Sequence, residues 1–468
     1  MHQTMQGTLH PVFSSRHLLL ATTAKPVTPF GGLVSLIEFF NSLKLGERLG
    51  EFMPFAYTSP YAIPPEQTLL AFLISIIAGA RRLAHTDWLR ADRALHAMLG
   101  IERFPGTDTV RNLLKRFTQP VIEAFWRPLW RWLLQQGWAV PLLGWSLDLD
   151  STVFQRSGHQ EGAERGYNPS RPGRHTHHPL LAVLAEAPLV LHGWLRSGKA
   201  GSARGVVAFL QEALALMPAD WKLRTVRADS GFFDQALLSF LEERSLPYII
   251  VARMTHALKA SAAAIKDWTP VDAHYSAASF HLKLHGWSKE RRFVVIREQE
   301  REDKSAVGRR LIDVPGYTYR VFVTSRDEKP VELWRDYNQR ACIEQRIEEL
   351  KNDLAADGFC MQQFFATEAA FLSVLCAFNL LSLYQQAIGI RSEKHYQRPA
   401  TLRSTVFLGG AILGKRARQP VLYIAQSWGG TDKHKPFMDK VLEWRKRTSP
   451  KLPPEHPPPE ENDLKNAA

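Results

Sequence analysis

The sequence is poor in cysteine and lacks an apolar run long enough to cross a bilayer. Its 468 residues include three cysteines, too few for the disulfide framework of a secreted protein. The longest uninterrupted apolar run, 68–80, is shorter than the roughly 20 residues that a membrane helix needs. Near the N-terminus, Arg16 precedes only a short apolar run, which does not suit a secretory signal peptide. These absences predict a cytoplasmic protein of a reducing compartment, with no membrane partner.

The chain also lacks an acidic excess. Its 59 Lys and Arg residues outnumber 46 Asp and Glu residues, which gives a formal net charge of +13. The region 391–451 alone holds 14 basic and four acidic residues. Such a surplus is typical of proteins whose partner is a polyanion such as nucleic acid. From charge alone, a basic surface that serves only solubility is the alternative.

Composition and patterning divide the chain into regions. With 45% hydrophobic and 22% charged residues, the chain is predicted to fold, and its length predicts more than one domain. Apolar periodicity, strand-like alternation and proline content predict five regions. They are a helical DNA-binding domain at 1–140, an α/β core at 141–254 and 332–390, a β-rich insertion at 255–331, a basic helical region at 391–449 and a disordered Pro-rich tail at 450–468.

A basic helix is predicted within the first region. Helical spacing over 84–100 is followed by a turn at 105–108 and a short helix over 109–117, which carries Arg111 and Lys115. A helix, a glycine-containing turn and a basic helix suit a DNA-binding unit of the helix-turn-helix kind. A plain helical bundle fits the same pattern equally well.

Two aspartates close predicted strands of the α/β core. Asp150 ends the first strand and Asp229 follows the fourth, at positions where a sheet displays catalytic groups. Asp148 shares a strand face with Asp150, so either could be the first acid, and Asp150 is favoured because it is nearer the strand end. Three strands followed by helix, strand, helix and strand predict a mixed α/β sheet of the ribonuclease-H-like type.

A charged helix after the insertion supplies a third acid, Glu344. Tyr337, Arg340 and Lys351 are spaced at −7, −4 and +7 from Glu344, which predicts that all four lie on one helix face. An exposed face with ion pairs to Glu348 or Asp336 is the alternative.

These four residues resemble the Y-R-E-K signature of DDE transposases of the insertion-sequence type. The similarity extends to residues 150–152, 166–180 and 227–233, and the spacing of the acids suits members with a β-strand insertion. The resemblance implies DNA cleavage at transposon ends and strand transfer into target DNA. It also implies double-stranded DNA with terminal inverted repeats as partner, a homodimer that synapses two ends, and a bacterial, nucleoid-associated setting.

The resemblance makes Asp150, Asp229 and Glu344 the catalytic residues and metal ligands. Three carboxylates that converge at a sheet edge need a cation, and oxygen-only ligands favour Mg²⁺ or Mn²⁺. Two such ions would support phosphoryl transfer. A silent DNA-binding protein descended from such an enzyme, or a structure-specific nuclease without strand transfer, is the alternative function.

Further residues are predicted to contact DNA. Within the core, Tyr337, Arg340 and Lys351 would contact phosphates near the scissile bond. The loop 156–178 would hold the DNA backbone through Arg165, Arg171 and Arg174. In the insertion, Trp268 and Trp287 would stack on a flipped base, as in related transposases that form hairpin ends, although packing in a small β-domain is the alternative.

Overall fold

The computed structural model describes residues 5–299, 309–311, 314–390 and 395–448. Short helices dominate the first third of the chain, and others cover the sheet. The α-helices are α1 (Val34–Ser42), α2 (Leu45–Phe52), α3 (Pro65–Ala78), α4 (Arg93–Leu99), α5 (Thr107–Leu114), α6 (Gln119–Leu134), α7 (Val206–Leu216), α8 (Gln235–Glu243), α9 (His256–Ala263), α10 (Pro330–Asn338), α11 (Ala341–Asn352), α12 (Phe364–Ala387), α13 (Pro399–Leu402) and α14 (Gly430–Thr448).

Within the described part of the chain, the strands fall into four sheets, of which one is large. They are β1 (Met5–Leu9), β2 (Leu18–Ala21), β3 (Val27–Thr28), β4 (Trp145–Ser151), β5 (Phe154–Gln155), β6 (Glu164–Arg165), β7 (His175–His177), β8 (Leu180–Leu184), β9 (Leu189–Trp194), β10 (Leu223–Ala228), β11 (Tyr248–Val251), β12 (Thr269–Pro270), β13 (Tyr275–Leu282), β14 (Arg291–Gln299), β15 (Arg309–Leu311), β16 (Val314–Thr324), β17 (Ala411–Arg416) and β18 (Gln419–Ile424).

The large sheet has the strand order β12-β13-β14-β16-β11-β10-β4-β8-β9, with β15 beside β16. In its core half, β4 is antiparallel to β8, and β8 to β9, whereas β10 is parallel to both β4 and β11. All five residues of β8 are buried, as expected for a strand covered on both faces. The mixed α/β fold predicted from the order of strands and helices is confirmed.

The β-rich insertion shares this sheet with the core. Residues 255–331 begin with α9, and their strand β16 pairs antiparallel with the core strand β11, for example Val251 with Phe322. A second small core under α10, which includes Ile249, Phe322 and Tyr337, joins the two regions on one face of the sheet. The insertion therefore extends the large sheet, which strand periodicity alone does not reveal.

The C-terminal region differs from the purely helical expectation. Strands β17 and β18 form a hairpin before α14, and β17 also pairs with β3 near the N-terminus. The hairpin turns at Ala417, whose φ of 56° is left-handed. This turn lacks the Gly or Asn that usually marks a tight hairpin, so sequence patterns did not predict the hairpin. The tail 450–468 lies outside the described residues.

The N-terminal region is helical only from α1 onward. Before it, β1 and β2 form a two-stranded sheet and β3 joins the C-terminal hairpin. The helix predicted over 84–100 is a 3-10 helix, Leu83–Ala91, followed by α4. The break falls at Asp92, whose carboxylate accepts hydrogen bonds from Leu95 N and Thr28 Oγ1.

Among the described residues, one single helix, α12, is long and apolar enough to cross a membrane by length and composition, but 89% of its most apolar window is buried inside the protein. It packs on β9, α3 and α14. One continuous hydrophobic core includes side chains from α1, β4, α12 and α14. The N-terminal helices, the sheet and the last helix therefore share a core around α12.

Candidate active site

Two aspartates end neighbouring parallel strands of the large sheet. Leu149 of β4 pairs with Ala228 of β10, so Asp150 and Asp229 follow at the same level of the sheet. Asp229 caps a short 3-10 turn, and its Oδ1 accepts a hydrogen bond of 2.9 Å from Gly231 N. Asp150 Oδ1 accepts one of 2.8 Å from Ser151 N. Both carboxylates are thus oriented by backbone N–H groups at one sheet edge.

Arg340 ties the segment between α10 and α11 to the first of these strands. Its Nη2 donates a 2.9 Å hydrogen bond to the carbonyl of Leu149 and lies 3.3 Å from Asp150 Oδ2. The side chain is buried. Arg340 therefore serves as the ion-pair partner of Asp150, and the Glu348 or Asp336 pairing considered from sequence is absent among the described contacts.

The predicted single helix from Tyr337 to Lys351 is in fact two helices. Between α10 and α11 the backbone makes i to i−3 hydrogen bonds, such as Arg340 N to Tyr337 O at 2.9 Å and Ile343 N to Arg340 O at 3.0 Å. A 3-10 turn contains three residues, fewer than a turn of α-helix. The side chains that follow it therefore point in other directions than they would along one continuous α-helix. The prediction of one continuous helix that carries all four residues of the signature is therefore wrong.

Glu344 lies exposed in the first turn of α11. It acts electrostatically on Asp150, whose pKa is raised to about 6. Burial is the main cause, and repulsion from Asp229 and Glu344 adds to it, while Arg340 and Ser151 N oppose it. The three acids predicted from sequence therefore lie near enough to one another for Asp229 and Glu344 to affect the pKa of Asp150.

The donor chemistry of these acids fits a hard divalent cation. Carboxylate oxygens are the ligands that Mg²⁺ and Mn²⁺ prefer, and a cation would relieve the repulsion that raises the Asp150 pKa. In the part of the chain that is described, no three His, Cys, Asp or Glu side chains are close enough to form a ready metal site.

Asp148, the other possible first acid, is fully engaged in a buried ion pair. Arg227 Nε donates to its Oδ1 at 2.7 Å and Arg227 Nη2 donates to its Oδ2 at 2.9 Å. Arg227 also donates to Asp336, which further binds Arg224 and Arg326. This network was missed from sequence, although an arginine within the buried strand β10 could have signalled it.

Two other residues of the signature are partly or wholly covered. Tyr337 is 3% exposed, its ring packs against Phe322 at 4.8 Å, and Arg320 lies 4.9 Å from the ring centre. Lys351 Nζ lies 3.4 Å from the carbonyl of Val153, close to the end of β4. The ring of Tyr337 therefore packs in the second small core against β16.

The basic loop after β4 is ordered as a small sheet. Strands β5, β7 and β6 pair across residues 154–177, and Arg165, Arg171 and Arg174 are all exposed. His177 is buried, accepts a hydrogen bond from Arg156 Nε at Nδ1, and has its pKa lowered by burial to about 4. The three arginines are exposed, as the DNA prediction requires.

The two tryptophans of the insertion are half-buried in packed surroundings. Arg297 lies 4.2 Å from the ring centre of Trp268, whose Nε1 donates to the carbonyl of Ile265 at 3.1 Å. Trp287 packs against Phe233, Phe293 and Arg291. Both indoles therefore occupy the packing positions considered as the alternative.

The predicted basic helix is α5, and its two cations differ in setting. Arg111 is paired with Asp108 one turn earlier, whereas Lys115 is exposed just after the helix end. The helix is capped by Gly106, and its first N–H, at Thr107, is bonded to Asp87. Lys115 is therefore the more accessible of the two.

Comparison with known proteins gives a family match over most of the chain. The family model described as Transposase DDE domain group 1 matches residues 10–445. Among solved structures, the chain is similar to a piggyBac transposase in a synaptic complex with hairpin DNA, with 14% identity, 94% of this chain and 90% of that chain covered, and a TM-score of 0.44. Curated proteins give no match.

Proposed function

Because this chain belongs to the family Transposase DDE domain group 1, whose members cut DNA and transfer its strands, we propose that Asp150, Asp229 and Glu344 carry its chemistry. The observation that supports this assignment most directly is the register of β4 and β10, which brings Asp150 and Asp229 to one edge of the sheet. Repulsion from Asp229 and from Glu344 on α11 also contributes to the raised pKa of Asp150. Asp148 is a poor candidate, since Arg227 occupies both of its carboxylate oxygens.

DDE transposases use divalent metal ions, and we infer two Mg²⁺ or Mn²⁺ ions for this chain. Asp150, Asp229 and Glu344 would hold them, Glu344 by a side-chain movement from its exposed position on α11. When bound, such ions activate the attacking oxygen and neutralise charge on the leaving 3′ oxygen of an in-line phosphoryl transfer.

The surrounding residues orient the acids and the DNA. Arg340 keeps Asp150 directed to the sheet edge, and Gly231 N does the same for Asp229. Exposed Arg165, Arg171 and Arg174 would neutralise backbone phosphates beside the acids, as in other phosphate contacts that position DNA.

The DNA partners follow from this activity. We infer that the enzyme acts on the terminal inverted repeats of a mobile element and on target DNA within a bacterial nucleoid. A homodimer would hold two ends together in the synaptic complex, because two ends must be joined to one target.

The test is divalent-metal-dependent cleavage and strand transfer on DNA that carries an element end, with wild type, Glu344→Gln and the matched control Glu348→Gln. Glu348 lies on the same exposed helix, one turn after Glu344. We expect Glu344→Gln to bind DNA without cutting or joining it, and Glu348→Gln to act like wild type.

Equal activity of Glu344→Gln and wild type would show that the third acid is misplaced. Binding without cutting by every variant, wild type included, would favour the silent DNA-binding protein. Cutting without joining of a precut 3′-OH end would favour the nuclease.

A further inference from the structure

The segment that connects β9 to α7 lies against the strand ends that carry the two candidate aspartates. We call residues 195–205 the β9–α7 loop. Within it, the hydroxyl of Ser202 lies 2.9 Å from the hydroxyl of Ser151, the residue that follows Asp150. Because a hydroxyl can both donate and accept, this distance is that of a hydrogen bond between the loop and the end of β4.

Ser202 also contacts the turn that follows β10. In that turn, Gly231 donates its N–H to Asp229 Oδ1. A Cβ atom at Gly231 would lie 2.8 Å from Ser202 Oγ and 2.9 Å from Ser202 Cβ, so the two residues pack with no room for a side chain between them. One serine therefore contacts both the residue after Asp150 and the turn that orients Asp229.

The β9–α7 loop is held in place by the buried side chain of Arg196. Its Nη1 donates to the carbonyls of Gly201, Ser202 and Arg204 at 3.0, 3.3 and 2.8 Å. Its Nε donates to the carbonyl of His178, just before β8, at 3.0 Å. Because the guanidinium is planar and its donors have fixed directions, the backbone on both sides of Ser202 is held against the sheet.

We propose that Ser202 is a positioning residue for the metal-dependent reaction, because it links the end of β4 to the turn after β10 and so sets the separation of Asp150 and Asp229. The inference rests on the proposed function in that these two acids bind the divalent ion. Mg²⁺ demands near-ideal octahedral geometry, so a small displacement of one carboxylate weakens its binding. Residues that orient metal ligands from outside usually change metal affinity or activity about 10- to 100-fold.

Binding of Mn²⁺ to the full chain without DNA, followed by electron paramagnetic resonance of the free ion, tests this link. Ser202→Ala should bind Mn²⁺ about tenfold more weakly than wild type. Gly231→Ala should also weaken binding, because its new Cβ would displace Ser202. The matched control is Ser197→Ala in the same loop, which should bind Mn²⁺ like wild type because the Ser197 hydroxyl donates to Glu164.

Two further measurements separate positioning from a general loosening of the fold. Ser202→Ala should need about tenfold more Mn²⁺ for half-maximal DNA cleavage and should recover the wild-type rate at saturating Mn²⁺. In metal-free protein, Ser151→Ala and Ser202→Ala should together lower the free energy of unfolding by less than the sum of their separate effects. Both substitutions remove the same hydrogen bond, so their effects are not additive.

The outcomes distinguish this proposal from the catalytic one. Wild-type Mn²⁺ affinity in Ser202→Ala, beside weaker binding by Asp150→Asn, would overturn the positioning role and leave the catalytic assignment intact. Additive effects of the two alanine substitutions would overturn it as well, since Ser151 and Ser202 would then not be linked. Unchanged Mn²⁺ affinity in Asp150→Asn would contradict the catalytic assignment instead, while a non-additive result would still support the link between the two strand ends.

Discussion

Arg227 and Asp148 form a fully buried, two-bond ion pair directly beneath the candidate acids, with N–O distances of 2.7 and 2.9 Å. Each lies two residues before a candidate acid, Arg227 before Asp229 on β10 and Asp148 before Asp150 on β4. The pair therefore links β4 and β10 two residues before the candidate acids. This link holds the two strands in the register that brings Asp150 and Asp229 to the same edge of the sheet.

This relationship predicts different consequences for two similar substitutions. Asp148→Asn leaves the Arg227 guanidinium with only Asp336 as counter-ion, so we expect the free energy of unfolding to fall by about 3 kcal/mol. Asp150→Asn removes a carboxylate repelled by its neighbours, so we expect unchanged or higher stability and no DNA cleavage. Urea unfolding and cleavage of an end-containing DNA check both expectations. A stable Asp148→Asn variant without activity, beside an active Asp150→Asn variant, would reverse the assignment.

The buried position of Arg340 predicts an effect on chemistry rather than on DNA affinity. Arg340→Lys keeps the charge but loses the planar group that bonds Leu149 O and Asp150 together. We expect cleavage to slow about 10- to 100-fold through misplacement of Asp150, with unchanged DNA affinity. The exposed Arg165→Ala should do the opposite, weakening DNA binding and lowering its salt slope by about one. A loss of DNA affinity in a folded Arg340→Lys variant would restore the phosphate contact expected from sequence.

The strand ends were predictable from sequence, whereas the contacts between distant segments were not. Alternation in β4 and the position of Asp229 after β10 are local patterns, so both acids could be placed on one edge. The role of Arg340 depends on a 3-10 turn between α10 and α11, and no residue type in that segment predicts such a turn. Likewise, base stacking and packing both remained open for Trp268 because Arg297, which covers its ring, lies on the distant strand β14.

Buried Glu368 on α12 predicts a pH dependence of stability. Burial raises its pKa to about 7, and a hydrogen bond from Leu195 N opposes this only partly. Because the folded state holds this proton up to a higher pH than the unfolded state, the contribution of Glu368 to stability is greatest below about pH 4.5 and is lost as the pH rises to about 7. The loss amounts to at most about 3 kcal/mol.

We therefore expect Glu368→Gln to flatten the stability profile across this window, measured by thermal or urea unfolding without divalent metal. Burial also raises the pKa of Glu349 to about 7, so Glu349 contributes a fall of stability with pH in the same direction. Because wild type and Glu368→Gln both contain Glu349, the difference between their stability profiles reports Glu368. The exposed Glu348→Gln should leave the profile unchanged. Parallel profiles for wild type and Glu368→Gln would contradict the raised pKa.

The packing of Trp268 predicts a structural role that can be separated from base stacking. Its ring contacts Arg297 and Tyr319, so Trp268→Ala should lower the free energy of unfolding by about 3 kcal/mol, and Trp268→Phe by less. Cleavage products per folded molecule, including any hairpin ends, should match wild type in both variants. If Trp268→Ala keeps wild-type stability and still cleaves DNA but forms no hairpin products, the indole stacks on a base. Removal of an indole that served packing alone would lower the free energy of unfolding.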